Sequence, residues 1–105
     1  MRVTISHNKP VAEVKSSVDH SMTQVFSGLG AGIVEFTDPH RHWHGDTMEF
    51  SLSARIGFIK TPIKGTVAVT ASEVTVDVDL GLLEKLIPQD TVRTGIEGQV
   101  RGLLT

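Results

Sequence analysis

Apolar residues in this chain recur with two periods, and the change of period marks its elements. In "RVTIS", residues 2–6, Val3 and Ile5 alternate with Arg2, Thr4 and Ser6, which predicts a short strand. Beyond Pro10 the step lengthens: Val11, Val14, Val18, Met22 and Val25 recur every three or four residues. That spacing puts them in one stripe of a long amphipathic helix, with Glu13, Lys15, Ser16, Ser17 and Asp19 on its wet face. Proline suits the first helical turn, and Asn8 or Ser6 is expected near the cap. The glycines of "SGLGAG", residues 27–32, end the helix, which is expected over about residues 10–27.

The period then returns to two. "IVEF" offers Ile33, Val34 and Phe36, after which Asp38 and Pro39 are expected to break or turn the chain. In "GDTMEFSLSA", Met48, Phe50, Leu52 and Ala54 face one way, and Thr47, Glu49, Ser51 and Ser53 the other. Ile63, Val67 and Val69 share a face in "IKGTVAVT". Val74, Val76, Val78 and Leu80 do so in "SEVTVDVDL", and "TASE", residues 70–73, joins these two runs as a tight turn. Such alternation describes a meander of four to five antiparallel strands with one buried and one wet face.

The tail is helical. "GLLEKLIP" supplies Leu82, Leu83, Leu86 and Ile87, and then Val92, Ile96, Val100 and Leu103 form one stripe of a C-terminal helix with Asp90 as its cap. Gly95, Gly98 and Gly102 cluster beside that stripe. Each costs about 0.5–1 kcal/mol relative to alanine in a helix. They point either to the close approach of another backbone or to a helix that is weak by nature. Strands grouped together with helices at the ends describe an α+β domain, here one domain over residues 1–105. A curved antiparallel sheet wrapped on the terminal helix would be a reduced helix-grip-like fold. Its apolar cavity would be lined by Trp43, Phe50, Phe58, Val67, Val76 and Leu86.

Composition narrows the function. The chain has no cysteine, so neither disulfides nor thiolate chemistry are available. Ten basic residues against twelve acidic ones leave a formal charge of -2 and no basic footprint for nucleic acid. No apolar run approaches the roughly 18–20 residues of a membrane-spanning helix. "MRVTISHNKP" lacks the apolar core of a secretory signal, so a cytoplasmic protein is expected. Neither a Gly-x-Ser-x-Gly elbow nor a GK[ST] phosphate loop is present.

"DPHRHWHGD", residues 38–46, is the stretch richest in candidate chemistry. If it is extended, His40, His42 and His44 share one face, and Arg41 and Trp43 the other. Adjacent histidines are then about 7 Å apart and the outer two about 13 Å, so all three reach one metal ion only if the strand bends. Asp38, Asp46, Glu49 and His7 are the further candidate ligands, none in a recognised metal spacing. In the competing reading Trp43 packs inward, the histidines line a wet face, and Asp46 bonds the backbone of a Gly-Asp turn. An acid–base pair of His7 or His44 with Asp46 is the remaining catalytic arrangement, since histidine titrates near neutrality.

The order of these motifs is similar to that of a known family. "VTISH" is followed by an amphipathic helix, by Trp43-x-Gly45-Asp46-x-x-x-Phe50, and by "KGTVAVTASEVTVDVDLGLLEKL" with Gly65, Glu73 and Leu80-Gly81. Over nearly its whole length the chain resembles the small bacterial proteins of the polyhydroxyalkanoic acid system, or polyhydroxyalkanoate granule-region, family. The resemblance implies a link to storage granules of polyhydroxyalkanoate or to granule proteins. It brings no catalytic residue and no cofactor, and His40 and His42 precede the matched motif. Two functions of different kind follow. One is a non-enzymatic accessory protein that meets a granule surface or holds a small apolar ligand. The other is a metal-binding protein or enzyme built on His40, His42 and His44. A homodimer through the glycine side of the last helix or an edge strand is a third arrangement.

Overall fold

The computed structural model describes residues 1–27, 34–86 and 88–104, and at residues 21–27, 83 and 86 the backbone only. Five strands form one antiparallel sheet: β1 (Arg2–Ser6), β2 (Glu35–His44), β3 (Thr47–Ile56), β4 (Ile59–Val69) and β5 (Glu73–Asp79). Two long helices, α1 (Val11–Ser27) and α3 (Gln89–Leu104), and a single turn of helix, α2 (Leu83–Leu86), complete an α+β domain. The spatial order is β1-β5-β4-β3-β2. β2 to β5 are therefore the meander, and β1 adds to its far side by pairing with β5. Because β1 and β2 sit at opposite edges, the connection through α1 crosses the sheet.

One face carries the core. Met48, Phe50, Leu52 and Ala54 of β3 are all buried, as are Ile63, Val67 and Val69 of β4 and Val74, Val76 and Val78 of β5. Val3 and Ile5 of β1 join them. Against this face lie Val14 and Val18 of α1 and Val92, Ile96 and Val100 of α3, with Leu103 half-buried. Met22 and Val25 of the expected α1 stripe lie outside the described side chains. Gly65 sits opposite Phe50 on one side and Val78 on the other. A Cβ there would run into the Asp77 carbonyl and come within 2.9 Å of the Phe50 ring, so the core closes only over glycine.

Two local expectations are corrected. Asp38 and Pro39 do not end a strand: β2 runs through them with a bulge. Thr37 pairs with Ser53 but His40 with Ser51, so β2 carries one extra residue, and Asp38 takes a φ of 54°. An edge strand tolerates this, because the N–H that Pro39 lacks need not join a ladder. Neither helix starts at its expected cap. The Pro10 carbonyl accepts the N–H of Val14, and the Pro88 carbonyl that of Val92, so Asp90 lies inside the first turn of α3. The glycines of α3 show no close approach at Gly98 or Gly102, where an added Cβ would meet nothing within 4 Å.

Candidate functional site

Strand β2 divides its side chains between two environments. His40, His42 and His44 stand opposite Ser51, Glu49 and Thr47 on the open face of the sheet. Further across that face come Lys64 and Thr66 of β4. An open trough of about 460 Å³ runs between them, lined by His40, His42, Glu49, Ser51, Lys64 and Thr66 among others. The His42 and His44 rings meet edge to face, 4.4 Å apart. His44 Nε2 lies 3.3 Å from Glu49 Oε2 in an exposed pair.

The bulge falls before His40, so residues 40–44 run in regular register and the three histidines stay in a straight row. Among the described residues no three His, Asp or Glu side chains are placed to hold one metal ion. The physical reason is the one that the spacing implies: without a bend the outer histidines remain about four strand residues apart.

The other side of β2 faces α1. Trp43 is half-buried, and its Nε1 donates to Asp19 Oδ1 at 3.0 Å. Arg41 Nε donates to the same oxygen at 2.7 Å. These donors, the Trp43 indole first and then the Arg41 guanidinium with its charge, hold the Asp19 carboxyl below the ordinary aspartate range. One helical turn earlier, Lys15 Nζ donates to the Gly45 carbonyl at 2.7 Å and pairs with Asp46 Oδ1 at 3.2 Å. It also lies 5.1 Å from the centre of the Trp43 ring. Asp46 is thus held by a helix lysine rather than by the backbone of its own turn. The helical pattern assigns Asp19 to the wet face of α1, and no spacing in the sequence ties it to residues 41 and 43.

His7 is occupied on both ring nitrogens. Its Nδ1 accepts the Lys9 N–H at 3.1 Å, which leaves Nε2 to donate to the Thr70 carbonyl at 2.8 Å. With His7 N–H donating to Ser72 O at 2.8 Å, this residue latches the β1–α1 junction to the β4–β5 turn. Neither His7 nor His44 meets Asp46, so the expected acid–base pairs do not form.

The six residues expected around an apolar cavity are dispersed. Phe50, Val67 and Val76 are packed in the core, while Trp43 covers its β2 edge. Phe58 stands at the β3–β4 turn, fully exposed. The Leu86 side chain lies outside the described residues. The turn itself has a weak signal in the sequence: Gly57 stands between two apolar runs, and a tight hairpin turn takes glycine at its first position.

Compared with known families, residues 1–104 match the model of the family described as "Putative polyhydroxyalkanoic acid system protein". The chain belongs to that family. No curated protein matches it. In this family member the residues that carry the resemblance have structural tasks. Trp43 docks α1, Gly45 makes the β2–β3 turn at φ 60°, Phe50 fills the core, and Gly65 lets the Phe50 ring and the β5 backbone approach. Glu73 closes the β4–β5 turn: its backbone N–H donates to the Thr70 hydroxyl, and its carbonyl accepts the Thr70 N–H. No helix among the described residues is long and apolar enough to cross a membrane.

Proposed function

We propose that this chain is a non-enzymatic accessory protein of polyhydroxyalkanoate storage granules in the bacterial cytoplasm. The observation that carries the proposal is the family match along residues 1–104. Its support from the geometry is that His7, Asp19 and Asp46, three of the groups suited to acid–base work, serve structural contacts, while the exposed His44–Glu49 pair lies on an open face rather than in an enclosed pocket. His7 is spent on two backbone groups, and Asp19 and Asp46 on the contact between α1 and β2. The protein acts in this reading through its surface rather than through a reaction centre.

Granule fractionation tests it. A tagged copy expressed in polymer-accumulating cells is expected to sediment with the granules on a density gradient. It should return to the supernatant fraction in cells that make no polymer. Recovery in the supernatant while granules are abundant would sink the proposal.

A further inference from the structure

The β3–β4 hairpin ends in two apolar side chains that the fold does not use. Phe58 is 107% exposed and Ile59 42%, whereas the flanking Ile56 packs on the core. Leu82, 48% exposed, is held to β4, where its N–H donates to the hydroxyl of Thr61. Phe58 is the second residue of a two-residue turn whose glycine, Gly57, has a φ of 59°. There its ring is fully exposed to solvent. Turn chemistry asks for glycine at the first position and is indifferent to the second, where a polar residue would serve. An exposed phenylalanine there costs solubility and returns no packing.

We infer that this tip is the element by which the protein enters an apolar polyester phase, an inference that rests on the granule reading above. The size of the patch decides the kind of partner. A phenylalanine presents about 150–250 Å², far short of the roughly 800 Å² per partner of a stable protein–protein interface. A condensed apolar phase needs no complementary pocket and accepts whatever area is offered. The charge decides which phase. The end of the hairpin, residues 55–60, carries two cations, Arg55 and Lys60, and Arg55 is paired with Glu35 at 2.6 Å; the third cation of the hairpin, Lys64, stands farther along β4. Anionic lipid surfaces are held by clusters of about four to eight. An uncharged polyester surface matches a tip that offers apolar groups and little net charge.

The test is co-sedimentation of the purified protein with protein-free particles of poly(3-hydroxybutyrate), with native granules and with anionic phospholipid vesicles. The wild type is expected to bind the bare polymer. Phe58→Ala should bind about 10- to 100-fold more weakly, the loss for withdrawing one phenylalanine from an apolar phase, with an unchanged circular dichroism spectrum. In a second variant, Phe58→Trp, the added fluorophore should shift to the blue on bare polymer. Equal binding by Phe58→Ala, or no shift in Phe58→Trp, overturns the inference. So does binding to native granules but to neither bare polymer nor vesicles, which leaves the granule reading standing on a protein partner. Binding to the vesicles and to native granules but not to bare polymer overturns the choice of phase. Binding to neither polymer nor granules removes both readings.

Discussion

Two hairpins at the two ends of β3 are built alike and used differently. In β2–β3 the loop is Gly45-Asp46, and in β3–β4 it is Gly57-Phe58. Each opens with a glycine near φ 60°, the pattern of a tight turn that follows the twist of its strands. The first is tied down: Lys15 reaches from α1 to Gly45 and Asp46, and Trp43 and Arg41 converge on Asp19 just beside it. The second projects with its apolar residues bare. Backbone chemistry alone therefore specifies the turn, while the second loop residue and the presence of a helix overhead decide whether the tip is anchored or presented.

Breaking the anchored tip should have the largest effect. Trp43→Ala removes a half-buried ring, its bond to Asp19 and its cation contact, and is expected to cost about 2–3 kcal/mol in denaturant unfolding. The equivalent truncation at the presented tip, Phe58→Ala, should leave stability within about 0.5 kcal/mol. Equal losses at both would erase the distinction.

Asp19 sharpens the comparison through pH. Its folded-state pKa is depressed, so its contribution is complete above the ordinary value of 3.8 and is lost as pH falls through the folded value. Asp19→Asn should therefore flatten part of the acid limb of a stability–pH curve below about pH 4 and lower stability at neutrality by about 1–2 kcal/mol. An unchanged acid limb would mean that the two donors do not govern its titration.

The glycines test the likeness of the two turns. Gly45→Ala and Gly57→Ala should each cost about 1–2 kcal/mol, because each forces a Cβ into the left-handed region. Similar values would show that the turns differ only in what they carry. At the anchored tip itself the smallest loss is expected from Lys15→Ala, no more than about 1 kcal/mol, as its ion pair with Asp46 is exposed.

Much of the fold is legible in the spacing of apolar residues. The alternating valines of β5, the Met48-Phe50-Leu52-Ala54 face of β3 and the Val92-Ile96-Val100 stripe of α3 are all buried as the pattern expects, because periodicity reports which face meets the core. The candidate site is less legible. A two-residue alternation separates His40, His42 and His44 from Arg41 and Trp43, yet nothing in it names Asp19 or Lys15 as their neighbours. Those contacts join residues more than twenty positions apart, across a crossover whose path local pattern does not encode.

By itself the sequence determined most of the elements, their inward faces and the turns at Gly45-Asp46 and residues 70–73, since these depend on residue spacing and on local backbone preference. Only the tertiary structure decided that β1 closes the far edge beside β5, that β2 passes through Asp38 and Pro39 as a bulge, and that one hairpin tip is held while the other stands free. Each of those depends on which distant elements pack together, and that is settled by the summed burial of the whole core rather than by any short stretch of chain.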